Sequence, residues 1–360
     1  MKIGILTFHC AYNYGAVLQA YAMQEYLRSI GHESYIIDYR PGYMKERYER
    51  HTIRHWLGRS LSTTVAKVFT EPFLIRSRCS RYNKFESFIQ NRLNLVPING
   101  NDGFDAIVLG SDQIWQPSLT GGSFDRTYFG EGFSCGSFSY AASSRINKIT
   151  EDESAYLMQR LNQLKAIGVR ELKIKELLQP LSQKTIAVNM DPTLMAGESW
   201  LNALHLNNPS KGDYVFVYEI QRHHEVRNAA NTFAVKNGIK SIEVTGNDIP
   251  NLTCSLDRTA SPEVFCAYIK FAKCIFTTSF HGVALSILLK RPFYYFMQHT
   301  NSDERILSLL RLLHLENRAV EMNEELPSSE IDYSVVEVAL QTLQKESRDY
   351  INNALALCKK

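Results

Sequence analysis

The chain opens with an apolar run too short to be a helix, IGILTF at residues 3–8, and a longer one that cannot be a strand, AVLQAYAMQEYLRSIG at 16–31. The loop HCAYNYG joins them, Gly31 suits a helix C-cap, and SYIIDY at 34–39 follows almost at once. A strand, a helix and a second strand so closely spaced are the opening of a parallel α/β sheet, because parallel neighbours need a crossover helix. Residues 43–92 read as a mostly helical, basic segment with Pro72 as a break. Strand patterns return at DAIVLG (105–110), GSFSYAAS (136–143), KAIGVR (165–170) and IAVNM (186–190), with a helix-like RELKIKELL between the last two.

Residues 191–212 are rich in Pro, Asn and Gly, which marks a junction. The alternation then restarts with DYVFVYEI, HHEVRNAANTFAVKNG and KSIEVTG. Ser261 with Pro262 behind it starts another helix, SPEVFCAYIKFA, and CIFTTS, GVALSILLK and PFYYFM alternate strand, helix, strand. At 360 residues the chain exceeds one ordinary core. The fold expected is α/β with two facing Rossmann-like domains, 1–195 and 196–333, and a C-terminal helix in 334–360 packing across their junction. Ligands of such sheets bind beyond the carboxyl ends of the strands.

Composition narrows the function. With 44% apolar and 21% charged residues, the chain has the balance of a soluble globular protein, and its net charge of +3 does not demand a polyanion. It begins without a secretory leader pattern, and no window is apolar enough to span a membrane. The expected compartment is the cytoplasm, including the inner face of its membrane. The seven cysteines are scattered singly without a C-x-x-C pair, which argues for free thiols rather than disulfides or structural zinc. His223 and His224 lack a Cys or carboxylate at ligand spacing, so no metal is expected. Dinucleotide, Walker, G-x-S-x-G and H-E-x-x-H motifs are all missing from the sequence.

Four corners run from an apolar strand into small, polar or charged residues: 7–15, 109–117, 167–171 and 276–282. In the last, Thr278, Ser279, His281 and Gly282 sit where a strand turns into a helix. Helix N-termini favour anions by roughly 0.3–1 kcal/mol when exposed and up to about 2 when partly buried. His281 there can donate a proton to, or hydrogen-bond, an anionic substrate. Asn13, Tyr14 and Gly15 start the first helix, where Asn13 either caps it or faces a ligand and Gly15 permits close approach. Asp112 is either a base at a strand end or a turn residue holding its own backbone. Trp115 offers a face for a sugar ring or fills the core. Arg170 either captures an anion with its planar fork or pairs with Glu171 or Glu176.

Together, IGILTF…NYGAVLQAYAM, DAIVLGSDQIW, SYAAS, GVRE, MDPTLM, TTSFHGVALSILLKRPF and NSDERILSLL run in order from residue 3 to about residue 313. The ordered set resembles the polysaccharide pyruvyl transferase family. The resemblance implies a fold like that of the two-domain GT-B glycosyltransferases, phosphoenolpyruvate as donor substrate with no further cofactor, and a pair of sugar hydroxyls as acceptor. The sugar would belong to a cell-surface polysaccharide, such as an exopolysaccharide or capsule, or to its lipid-linked precursor. It gives Arg170 and His281 to the donor's anionic groups, with Asp112, Asp191 and Asn301 in the site. His281 is then the candidate acid, at the enol carbon or at the leaving phosphate, and Asp112 a base for the acceptor.

Two other readings use the same architecture: a nucleotide-sugar glycosyltransferase and a non-catalytic sugar-binding relative. The basic segment is either a solvated helical face or a peripheral membrane contact through Tyr43, Met44, Trp56 and Leu57. No nucleic-acid partner is expected.

Overall fold

The computed structural model describes residues 1–48, 64–98, 103–221, 223–245, 254–300 and 303–359, without the side chains of 46–48 and 64–75. Asn301, Trp56 and Leu57 lie outside the described residues. The first half comprises β1 (Lys2–Leu6), α1 (Tyr14–Ser29), β2 (Glu33–Asp38), α2 (Gly42–Tyr48), α3 (Thr64–Arg92), β3 (Leu95–Pro97), β4 (Ala106–Leu109), β5 (Gly136–Ser139), α4 (Glu151–Gln163), β6 (Ile167–Val169), α5 (Leu172–Leu178) and β7 (Ile186–Val188). The chain continues through α6 (Pro192–Met195), α7 (Ser199–Asn202), β8 (Tyr214–Tyr218), α8 (His224–Lys236), β9 (Lys240–Val244), β10 (Ser255–Asp257) and α9 (Pro262–Phe271). It ends with β11 (Cys274–Thr277), α10 (Phe280–Leu288), β12 (Phe293–Phe296), α11 (Asp303–Leu312), β13 (Ala319–Val320) and α12 (Tyr333–Cys358).

The strands form two parallel sheets. The first has the order β3-β2-β1-β4-β5 and the second β10-β9-β8-β11-β12-β13, while β6 and β7 pair separately. Bridges from Asp112 to Ala142 and from Ala142 to Val169 carry the ends of β4, β5 and β6 side by side. Each sheet reverses direction once, between β1 and β4 and between β8 and β11. In doubly wound sheets that reversal opens the ligand crevice, so the loops 7–15, 109–117 and 276–282 stand where a ligand belongs. The fold is α/β with two Rossmann-like halves.

Helix α1 explains how the halves meet. Every residue from Tyr14 to Gln24 is buried, because AVLQAYAM carries no polar stripe and a helix apolar all round must be covered all round. One face lies on the first sheet. The other reaches the second half: the Tyr14 hydroxyl donates to the Ala260 carbonyl at 2.9 Å, and its ring stacks on Phe265 at 4.2 Å. A single apolar cluster consequently contains residues from β1, α1, α9, α10 and α12. Helix α12 touches both halves as well. Tyr333 Oη donates to the Arg291 carbonyl at 2.6 Å, and Tyr350 Oη to the Ser139 carbonyl at 2.8 Å.

Three local expectations change. Helix α3 runs through Pro72 instead of breaking there; proline's fixed φ is helical, so its penalty is a lost hydrogen bond and a local clash rather than an obligatory stop. Met44 is buried and Tyr43 donates to Asp125 Oδ2 at 2.6 Å, so both turn inward instead of presenting a membrane-facing surface. Helix α4, unread from the sequence, begins with a capping box between Thr150 and Glu153.

His9 and Cys10 are structural. His9 Nε2 meets Asp38 Oδ1 at 2.8 Å, Arg40 Nε donates to the same oxygen at 2.7 Å, and burial pushes the Cys10 thiol up to about 11. The His9 hydrogen bond, helped by Arg40 and opposed by burial, pulls Asp38 down to about 2. A carboxylate lowered in the folded state stabilises fully above its unfolded value near pH 4, and that contribution fades as pH falls toward 2. Asp38→Asn should therefore lower stability at pH 7 by about 1–2 kcal/mol, allowing for partial exposure, and flatten the loss between pH 4 and 2. Urea titrations across that range check it; an unchanged pH dependence contradicts it.

Candidate active site

The corner after β11 is set by threonines. Thr277 Oγ1 donates to the Tyr218 carbonyl at 2.6 Å and accepts from the Ser279 amide at 3.0 Å, tying β11 to β8 and fixing the start of α10. Thr278 Oγ1 accepts from the Ile220 amide at 3.2 Å. Ser279 occupies the N-cap without a capping side-chain bond, and the first N–H groups of a helix have no intrahelical partner. Gly282 lies in that first turn because a Cβ would come within 2.3 Å of Thr277 Oγ1.

His281 points from this turn toward the first half. Its ring lies against Gly15, where a Cβ would fall 2.0 Å from His281 Nδ1, so α1 and α10 approach this closely only with glycine at 15. Beyond the ring is Asp191, the N-cap of α6, with Oδ2 at 3.6 Å from His281 Nε2 and 2.8 Å from Arg170 Nη2. Asp191 Oδ1 accepts from the Thr193 amide and hydroxyl at 2.9 and 2.6 Å. Burial raises its carboxyl, but Arg170, then His281 and Thr193, outweigh burial and hold it well below the usual carboxylate range. Asp191 is thus an ionised anchor between the two.

Arg170 follows β6, its amide donating to the Ala142 carbonyl at 3.1 Å. Nη2 also donates to Ser111 Oγ. Nε and Nη1 are buried without a hydrogen-bond partner among the described residues. A second guanidinium, Arg305 on α11, arrives beside it: the two lie 5.3 and 5.2 Å from the centroid of the same ring, Phe280. Arg305 Nε is likewise buried and unpartnered among the described residues. Burial and the charge of Arg170 both lower the Arg305 pKa. Two buried cations that repel one another, with donors unsatisfied, leave hydrogen-bonding capacity of the kind an anion can meet.

Glu171 sits next to them. Its Oε1 accepts from Ser143 Oγ at 2.6 Å and is 4.0 Å from Arg305 Nη1, while Oε2 is buried with no partner among the described residues. Burial raises this carboxyl despite Arg305 and Arg170. Arg305 lines two cavities. One, about 290 Å³, is also lined by Asn13, Asp112, Thr278 and Phe280; the other, about 840 Å³, by Arg170, Glu171, Arg145 and Lys173.

The corners therefore converge unequally. Arg170, Asp191, His281 and Gly15 are in direct contact, with Thr278, Ser279 and Gly282 beneath them. Asp112 lines the smaller cavity, and its Oδ1 accepts from the Gln113 amide at 2.8 Å, so it also shapes its own turn. Asn13 caps α1 through the Gly15 amide at 2.9 Å. Tyr14 is fully buried between the halves, and burial raises its hydroxyl, so it braces the joint and cannot meet an acceptor. Trp115 is no sugar platform: it is buried, stacked on Phe129 at 5.0 Å, and donates to the Tyr128 carbonyl at 3.0 Å. Arg305 and Glu171 were not singled out from sequence, although NSDERILSLL and GVRE contain them.

The model for polysaccharide pyruvyl transferases matches residues 13–300, which include Asn13, Gly15, Asp112, Arg170, Asp191 and His281 but not Arg305. The chain belongs to the polysaccharide pyruvyl transferase family. Membership makes it a transferase of polysaccharide biosynthesis. A comparison with curated proteins returns no match. Among solved structures it is similar to the UDP-GlcNAc 2-epimerase from Neisseria meningitidis bound to UDP-GlcNAc, at 9% identity and TM-score 0.48, covering 98% of this chain and 94% of that one. It is also similar to E. coli ADP-heptose lps heptosyltransferase II, at 13% identity and TM-score 0.37, covering 97% and 100%. These are likenesses of shape at very low identity. No helix among the described residues is long and apolar enough to cross a membrane.

If Gly15 exists to admit the His281 ring, Gly15→Ala should leave the far-ultraviolet dichroism intact and lower pyruvyl transfer about 100-fold, the scale of a misplaced reacting group. Turnover near that of the unmodified protein would contradict this placement.

Proposed function

We propose that this pyruvyl transferase moves the enolpyruvyl group of phosphoenolpyruvate onto two hydroxyls of one sugar, closing a cyclic ketal and releasing phosphate. The observation that carries the reading is the pair Arg170 and Arg305 at one phenyl ring, both with unsatisfied N–H groups beside the start of α10. A small molecule with a carboxylate and a phosphate offers each guanidinium an anion. A neutral sugar offers neither.

Protonation of C3 of the enol makes C2 electrophilic, and the first sugar hydroxyl adds there and loses its proton. The C2–O bond to phosphate then breaks, and the second hydroxyl adds to C2. Of the two hydroxyl protons released, one replaces the proton delivered to C3 and the other leaves with phosphate. Arg170, Arg305 and the α10 start stabilise the charge that grows on the departing phosphate. His281, oriented by Asp191 and Gly15, supplies the proton to that phosphate, and Asp112 on the smaller cavity receives the proton of the attacking hydroxyl. No metal or further cofactor takes part in this scheme. The acceptor sugar belongs to a cell-surface polysaccharide or its lipid-linked precursor, and the reaction takes place in the cytoplasm or at the inner face of its membrane.

Phosphoenolpyruvate at about 100 times its Kd should stabilise the protein by about 2.7 kcal/mol in thermal unfolding, and Arg305→Ala should abolish that shift. Phosphate should appear only when phosphoenolpyruvate and a sugar acceptor are both present, with a pyruvyl mass gain on the sugar. Stabilisation by a nucleoside diphosphate without any response to phosphoenolpyruvate would overturn the reading in favour of glycosyl transfer.

A further inference from the structure

The reaction just proposed needs a proton at carbon as well as one at phosphate, and the site contains a group that the scheme has not used. Glu171 follows Arg170 directly. Its carboxyl is buried, one oxygen held by Ser143 and the other unpartnered among the described residues, and it lines the 840 Å³ cavity with both guanidiniums. Its nearest charged neighbours are Arg305 from α11 and Arg170 from the end of β6, while Ser143 Oγ donates to it from the loop after β5. Arg145, Lys173, Glu176, His299, Asp303, Glu304 and Arg311 line the same cavity.

Two other carboxylates near the guanidiniums are less suited to donating a proton. Asp191 is held ionised by Arg170, His281 and Thr193. Asp112 lies on the smaller cavity, where it has the opposite task of receiving a proton.

We propose, resting on the phosphoenolpyruvate reading, that Glu171 is the catalytic acid that protonates C3 of the enol, taking up its own proton when the substrate's anionic groups occupy Arg170 and Arg305. The physical reason is charge. In the empty site the two guanidiniums partly compensate a carboxylate that burial already disfavours. Once a carboxylate and a phosphate occupy them, Glu171 faces added negative charge in a desolvated place, and the neutral acid is the favoured form. The O–H bond of Glu171 then breaks as the C3–H bond forms, leaving the Glu171 carboxylate to electrostatically favour the cationic character developing at C2. Phosphate departure and product release reset the site.

The test is calorimetric titration of phosphoenolpyruvate into the whole protein in two buffers of different ionisation enthalpy, for the unmodified chain, Glu171→Gln and Glu171→Asp. Binding to the unmodified protein near pH 7 should take up close to one proton more than binding to Glu171→Gln, with the Kd changed only a few-fold. In Glu171→Gln kcat should fall by about 10²–10⁴-fold, and its pH profile should lose the limb that falls at high pH; Glu171→Asp, still an acid, should recover part of both. Equal proton uptake in Glu171→Gln, turnover within tenfold of normal, or a loss of affinity as large as the loss of kcat overturns the proposal. Failure of the unmodified protein to bind phosphoenolpyruvate instead overturns the reading beneath it.

Discussion

The site depends on one buried carboxylate. Asp191 caps a short helix at the joint of the two halves, takes Arg170 from the first half at 2.8 Å, and has His281 from the second at 3.6 Å. Burying a charge is expensive unless it is paired and hydrogen-bonded, and each partner of Asp191 satisfies part of that demand. The same contacts leave Arg170 Nε and Nη1 unsatisfied. One interaction therefore fixes a guanidinium and an imidazole while leaving hydrogen-bonding capacity on the guanidinium.

That arrangement requires the halves to meet in one register. Helix α1 supplies it by being apolar on every face, so that it is covered by the first sheet and by α9 and α10 together. Tyr14 and Gly15, consecutive at its start, do opposite things. Tyr14 fills space and bonds to Ala260; Gly15 vacates space for His281. The joint that brings the two Rossmann-like sheets together is thereby also the wall of the site, and motions that separate the halves would have to disrupt a shared apolar core.

Much of this was legible in the sequence for physical reasons. The alternation of short apolar runs with helical ones predicted two parallel sheets, since parallel neighbours need crossover helices and those helices cover both faces of the sheet. His281 stood out because it sits where a strand turns into a helix start, whereas Arg170, as readily a surface ion pair, was singled out only by the family resemblance of GVRE. What escaped notice depends on tertiary placement. Trp115 and Tyr14 carry the same aromatic signal whether they face a sugar or a core, and only packing on Phe129 and Phe265 decides between them. Arg305 is one arginine in an amphipathic helix until α11 brings it to Phe280. Glu171 looked like a counter-ion for Arg170, yet its bonds go to Ser143 and its nearer cation is Arg305. Helix α4 could have been read from Thr150 and Glu153, whose spacing is that of a capping box.

The central claim is that Asp191 makes Arg170 and His281 one functional unit across the joint. A double-mutant cycle on kcat/KM for phosphoenolpyruvate, using Arg170→Ala, His281→Ala and the double variant, tests it most directly. If the two act as a unit, the double variant should lose little more than the more damaging single change, as groups that work together are strongly non-additive. Losses that simply multiply would show two independent contributions and contradict the account.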